Sequence, residues 1–406
     1  MNVDVAVIGA GAAGLFFCAE LSAINKNCTI ALIERTKQVG TKIRLSGGGR
    51  CNVTHACFIP SQLVGFYPRG NKQLRSPFSR FDTASTIKWF NDRGVSLKTE
   101  EDGRMFPDTN KSETIVNALI NACSSPNVHL FLNTAIDSIS IDLDGFILKG
   151  DQEFRAKKVV IATGSHPSGH SLAAQLGHDI TQLVPSLFSF NIPTSCLLSL
   201  SGISVENVSV SIEGFDFVSK GPILMTHHGF SGPAILKLSA WAARFLAQHQ
   251  YKSKLWIDWC AEHTYEQLEQ HCFEFKKKNP KLPFYKCFEH LAKNLTSALL
   301  QKYGLDPNLL SCFWDHKSIR KLVQNLKKDG YLIEGKIPYK HEFVTCGGIN
   351  LQDVDFKSYQ SKKIEGLFFA GEVLDIDGVT GGFNFQNAWT GGWHAAHAVN
   401  MQLEKV

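Results

Sequence analysis

The clearest chemistry in the sequence lies in three glycines near its start. Gly9, Gly11 and Gly14 fall in the spacing G-x-G-x-x-G, between the apolar run Val3–Ile8 and an apolar helical pattern that reaches about Ile24. A second apolar run, Thr29–Ile33, ends at Glu34, twenty residues beyond Gly14. Gly9 permits a tight turn, Gly11 lets a pyrophosphate approach the backbone, and Gly14 lets the helix pack closely on the strand. Free N–H groups and the positive dipole end at the helix start then hold the phosphates. Glu34, at the tip of the second strand, can accept hydrogen bonds from an adenosine ribose. A lone glycine fingerprint is weak evidence. Strand, glycines, helix, strand and acid in register predict a dinucleotide site.

Other stretches could serve the same ligand. Gly47, Gly48 and Gly49 are consecutive and suit neither helix nor strand, but they fit where backbone passes close to a flat or extended ligand. Lys42, Arg44 and Arg50 add positive charge beside them. A later buried strand closes in Ala162-Thr163-Gly164, an ending found in flavin dinucleotide folds. Near the C-terminus, a strand over 366–370 leads to Gly371-Glu372, and Gly381-Gly382 precede a helix from about Phe385. N–H groups at that second helix start would face a flavin ring and stabilise negative charge on its reduced form.

Several residue groupings resemble other sites. Gly229-Phe230-Ser231-Gly232-Pro233 is similar to a hydrolase nucleophile turn, but Pro233 stands where the second glycine is required. Cys51, His55 and Cys57 are metal-ligand types without zinc-knuckle spacing, and His394 and His397 share an apolar helix face, so no metal is expected. His227 and His228 precede a glycine turn and are candidate proton donors, because imidazole titrates near neutrality; holding the insert in place is the alternative. Cys51 is a weaker candidate, a thiol near the flavin, with simple packing as its alternative.

The elements that must position these residues read as α/β. With 406 residues the chain has length for two or three domains and a sizeable core. Helices are expected near 83–93 and 112–122, and a small antiparallel sheet over 128–161. From about 187 the texture changes to alternating strands, with Val208, Val210 and Ile212 on one face, and 262–329 is helical and charge-rich. The net charge of +5 argues neither for nor against nucleic acid, and Lys276–Lys278, the only dense basic run, reads as a solvated helix face. No secretory leader or membrane span is read, and eleven cysteines without a C-x-x-C pair suit reduced thiols in a cytoplasm.

The strings SGGGRCNVT (46–54), GRMFP (103–107), THHGFSGPAILKLS (226–239) and CGGINL followed by GLFFAGEVLDIDGVTGGFNFQNA (346–388) resemble a known family. It is that of the bacterial aminoacetone-oxidase-like or BaiN-like NAD(P)/FAD-dependent flavoproteins, and the match runs almost end to end. The resemblance implies a Rossmann-like FAD-binding domain, residues 1–187 and 343–406, with two inserts. One is β-barrel-like, residues 188–260 and 330–342, and the other helical, residues 261–329. It also implies FAD contacts from Gly9, Gly11, Ala13, Gly14, Glu34, Arg35, Lys42, Ser46, Gly47, Gly48 and Arg50. Further contacts would come from Gly164, Gly371, Glu372, Asp375, Gly382 and Asn384. Its reactions include carbon–carbon double-bond reduction and amine oxidation. One departure is the short path from Gly164 through Ser165-His166-Pro167 to Leu176, where the family has a longer glycine- and tyrosine-containing loop.

The expectation is therefore a cytoplasmic FAD-dependent oxidoreductase, with NAD(P)H as transient reductant and a small-molecule acceptor such as an activated double bond. No nucleic acid or membrane partner is expected, and the sequence gives no oligomeric state. Two rivals differ in class. A tRNA-modifying flavoenzyme would need a basic, aromatic-bearing surface, and a non-catalytic redox sensor would hold flavin that no small donor reduces.

Overall fold

A computed structural model describes residues 1–337 and 344–404. Residue 343 and the segment 338–342, expected at the edges of the FAD domain and the β-rich insert, lie outside the described residues, as do 405–406. The chain divides into two compact units, Met1–Leu183 with Val344–Val406, and Val184–Phe343.

The first unit is built on β1 (Asn2–Ile8), α1 (Ala12–Ile24), β2 (Ile30–Ile33), α2 (Thr41–Leu45), β3 (Val128–Phe131), β4 (Phe154–Ile161), β5 (Leu367–Phe369) and α3 (Phe383–Leu403). The strands run parallel in the order β3-β2-β1-β4-β5. Beyond β5 the sheet continues antiparallel through Gln360–Ser361 and Val354–Asp355. The apolar run in β1 has the composition of a strand covered on both faces, and Val5, Ala6 and Val7 are fully buried. Helix α1 is apolar on nearly every side, because it packs against both α3 and the Ser112–Cys123 helix.

Local pattern and long-range pairing disagree in one place. Val128–Phe131, expected in an antiparallel sheet with the residues after it, instead pairs parallel with β2 at the sheet edge. The antiparallel part begins at Ile136–Asp142, which forms a hairpin with Gly145–Gly150, and that strand pairs with β4. The expected helices at 83–93 and 112–122 are present as Thr83–Asn91 and Ser112–Cys123.

In the second unit six antiparallel strands almost close into a barrel. Phe190 at one end of the sheet bridges Lys336 at the other, with Asn191 N donating to Gly335 O at 2.9 Å and Ile337 N to Ser189 O at 3.0 Å. Val208, Val210 and Ile212 of the Ser204–Ile212 strand face the core, as their alternation predicts, and a register shift between Val205 and Val208 lets Val205 face it as well. The helices Tyr265–Lys278, Lys293–Lys302 and His316–Lys327 bury their apolar faces in the same continuous core.

Among the described glycines of the first unit, Gly14 approaches backbone most closely. A Cβ there would overlap the carbonyl oxygen of Gly9, and backbone cannot rotate aside as a side chain can. Gly14→Ala is therefore expected to cost about 1–3 kcal/mol, as overpacking does. A urea titration should show a lower midpoint with an unchanged slope.

Candidate functional site

The glycine turn sits at the carboxyl end of β1 and opens α1. Gly9 adopts φ 103°, and a Cβ on it would lie 2.6 Å from the Ala162 carbonyl of the neighbouring β4 end. Gly11 is the N-cap of α1 and has no side-chain cap, so the helix starts with uncompensated N–H groups. A Cβ on Gly11 would meet nothing within 4 Å. Gly9 and Gly14 are thus required by packing, whereas Gly11 faces open space where a phosphate could approach.

Glu34 ends β2 and reaches back to this turn. One carboxylate oxygen accepts from Ala10 N at 2.9 Å, and the other accepts from Thr36 N and Thr36 Oγ1. Arg35 is exposed and lies against the His166 ring. Burial and the Arg35 charge lower the His166 pKa, which favours the neutral imidazole.

Three segments far apart in sequence meet at Lys42 on α2. Its Nζ donates to Ser165 Oγ at 2.7 Å and to Glu372 Oε2 at 2.6 Å. Gly164, at φ 61°, turns the chain beside them, and the other Glu372 oxygen accepts from Thr345 N at 3.1 Å. Gly371 has its own constraint, since a Cβ there would lie 2.9 Å from the Ala13 Cβ on α1.

The Ser46–Gly49 turn is left-handed at Gly47, Gly48 and Gly49, and Cβ atoms on Gly48 and Gly49 would meet nothing within 4 Å. Gly47 instead abuts the Phe106 ring. Gly382 caps α3 at φ 92° under the Thr54 carbonyl, so this second helix start is also free of a side-chain cap. Asn387 Oδ1, in the first turns of α3, is buried with no hydrogen-bond partner among the described residues; Thr163 Oγ1 also lacks one but packs against Gly169. Open glycine faces, uncapped helix starts and an unpartnered polar atom fit an extended, phosphate-bearing cofactor such as FAD.

Other expected side chains are engaged with the protein itself. Arg50 pairs with Glu100 at 2.6 Å and lies 4.0 Å over the Phe106 ring. Asn384 accepts from Gly378 N and donates to Gly378 O, clamping the loop before α3. Asp375 is buried in that loop, and its N–H donates to Ile349 O at 3.1 Å. Cys51 is fully buried with φ 61°, and burial pushes its thiol up to about 12, so almost none is thiolate at neutral pH. It is placed as a packed side chain. His227 and His228 belong to the second unit, exposed on the turn between Val218–Thr226 and Gly229–Ser231.

Sequence reading missed the buried ion pair of Arg69 with Asp377, which pins the loop entering α3, and the Tyr67 hydroxyl bond to Phe383 O at 2.6 Å. The residues of each pair are some three hundred positions apart, so no local spacing signals either. Among the described residues no group of three or more His, Cys, Asp or Glu is placed to hold a metal ion, and no helix is long and apolar enough to cross a membrane. His394 is buried against Pro77 O and His397 approaches Glu20, so the two are separately occupied.

A parallel sheet with a glycine turn at the carboxyl end of its central strand defines the Rossmann class of nucleotide-binding proteins. Residues 3–398 match the HI0933-like protein Rossmann domain family; the chain belongs to it and is an FAD-dependent oxidoreductase. Among relatives, a ribosomal RNA dihydrouridine synthase of Haemophilus influenzae is 28% identical over 413 residues, covering 98% of each chain. A 3-dehydro-bile acid delta(4,6)-reductase of Clostridium scindens is 24% identical, covering 97% of this chain and 98% of the other. The solved 3-ketosteroid delta1-dehydrogenase from Sterolibacterium denitrificans shares the fold, with a TM-score of 0.52 at 12% identity over 99% of this chain and 100% of that one.

The contrast between Gly11 and Gly14 is testable. Gly11→Val should fold with the midpoint of the parent yet purify colourless, because its side chain fills the open face of the turn. Retained yellow flavin would refute that assignment. Iodoacetamide on the native protein should give two adducts, at the exposed Cys196 and Cys312, and eleven only after denaturation, counted by mass spectrometry.

Proposed function

We propose that the protein is a reductase of a carbon–carbon double bond conjugated to a carbonyl, drawing electrons from NAD(P)H, and that its substrate is uridine in ribosomal RNA. The observation that carries this reading is the pair of relatives matched over nearly their whole length. Their names describe different substrates but one bond change. Dihydrouridine is uridine saturated at its ring double bond, and a delta(4,6)-reductase likewise removes unsaturation. The relative named for RNA is also the more similar of the two. This reading favours the rival that needs a nucleic-acid surface over the expected small-molecule acceptor.

Bound FAD supplies two-electron hydride chemistry. The chain's own share is binding, orientation and charge. The uncapped start of α1 would hold the pyrophosphate, and the start of α3 would favour negative charge on the flavin ring. Lys42 and Glu372 tie α2 to the ends of β4 and β5, which fixes those turns relative to one another. In the overall reaction a hydride equivalent from NAD(P)H reaches the substrate carbon distal to the carbonyl, and a proton joins the adjacent carbon. His227 and His228 remain the candidates for that proton. A single dinucleotide fingerprint supports a nicotinamide that visits rather than one held in a domain of its own.

The test is anaerobic. The FAD-loaded protein should bleach on adding NADPH or NADH, and an unmodified ribosomal RNA transcript should restore the yellow colour. Nucleoside mass spectrometry should then show uridine converted to dihydrouridine. Recovery of colour with a steroid enone and none with RNA would replace the RNA reading with a small-molecule one. A flavin bleached only by amines would refute both.

A further inference from the structure

The charge of the molecule is unevenly distributed. Residues 184–343 hold 19 Lys and Arg against 14 Asp and Glu, whereas the remainder of the chain holds 23 of each. Within residues 276–329 the ratio is twelve to four. Most of these cations do not meet an anion. Lys278, Lys302, Arg320 and Lys327 are paired with Glu274, Asp329, Glu269 and Asp258. Lys276 and Lys321 donate to the backbone oxygens of Trp314 and Tyr303 rather than to a carboxylate. Lys277, Lys281, Lys286 and Lys317 are exposed and form no close ion pair among the described residues, although Lys277 shares a groove with Glu266, Glu269 and Glu274 and the Lys317 charge helps hold the Asp315 carboxyl below its ordinary pKa.

An aromatic ring sits among them. Phe313 is 69% exposed, an unusual position for a phenylalanine in a chain whose helices bury their apolar faces. Its backbone is held on both sides. Cys312 N donates to Pro280 O at 3.1 Å, Ser311 N donates to Leu282 O at 2.8 Å, and Trp314 stacks on Phe284 at 4.3 Å beneath. These bonds set Lys281 beside the Ser311–Phe313 turn, and the Lys276 bond to Trp314 O brings the end of the Tyr265–Lys278 helix, which carries Lys277, to the same turn. The nearest acid in sequence, Asp315, is occupied in capping the His316–Lys327 helix through Ser318 N.

We propose that this surface, centred on Phe313 and ringed by Lys277, Lys281 and Lys317, docks a single-stranded segment of ribosomal RNA. The inference rests on the RNA reading above and gives that substrate a place on the protein. Phosphates are held by ammonium groups at the expense of bound counterions, and an unstacked base has a flat face that an exposed ring can cover. An anionic membrane fits less well. The apolar residues of the His316–Lys327 helix, Ile319, Leu322, Val323 and Leu326, are all buried in the core, so the helix has no apolar face to lay in a bilayer.

The test is filter binding of the full-length, FAD-loaded protein to protein-free ribosomal RNA and to oligouridylate, across a salt titration. The triple variant K277E/K281E/K317E should lower the slope of log affinity against log salt by about 2, from about 0.7 for each lost phosphate contact on a single strand. Phe313→Ala should weaken binding about tenfold with the slope unchanged, and Phe313→Trp should restore it. Flavin content and melting temperature report that the variants are folded. Parent-like binding by both the triple variant and Phe313→Ala would overturn the docking surface while leaving the RNA reading intact. Failure of the unaltered protein to bind RNA at low salt would overturn both, and a preference for phosphatidylglycerol vesicles over RNA would replace the partner with a membrane.

Discussion

The first unit depends on how closely two pieces of backbone can approach. Helix α1 rests on the turn that precedes it with only the hydrogen of Gly14 between them and the Gly9 carbonyl. On its other side, a Cβ on Gly392 of α3 would lie 2.9 Å from Ala13 O. Small residues at these crossings let α1 be sandwiched between the central sheet and the C-terminal helix, and its apolar residues follow from that burial. A nucleotide turn at the same place inherits its shape from this packing, since the N–H groups at the start of α1 point where the helix axis points.

The site is largely one of backbone. Side chains whose chemistry looks suited to a cofactor are in several cases committed to the protein: Arg50 to Glu100 and Phe106, Asn384 to Gly378, and Glu34 partly to Ala10 and Thr36. They hold the turns in place. The groups left available are N–H donors at two uncapped helix starts and open faces at Gly11, Gly48 and Gly49. This division suits a cofactor whose phosphates and ring edge need directed dipoles more than countercharges.

Much of this arrangement was legible in the sequence because it is written locally. Gly9, Gly11 and Gly14 announce a turn and a helix through spacing alone, and Val208, Val210 and Ile212 announce a strand face through alternation. Pro233 stands at the first position of its helix, as its missing N–H permits. The features that escaped are pairwise and distant. Val128–Phe131 reads like its neighbours until the parallel register with β2 assigns it to another sheet neighbour. Arg69 and Asp377 are unremarkable as single residues, and only the fold joins them. Phe313 looks like a core residue in the sequence, because nothing in a string of letters reports which aromatic is left outside.

The near-closure of the barrel has a kinetic side. The first unit must bring β4 and β5 together although about two hundred residues separate them, and the entropy of closing so long a loop opposes that pairing. Once Ser189 and Ile337 are hydrogen-bonded across the barrel seam, the second unit leaves and returns through neighbouring strands. A long excursion then counts as a short tether. Assembly in which the insertion folds before its host would relieve most of the search that the discontinuous domain otherwise faces.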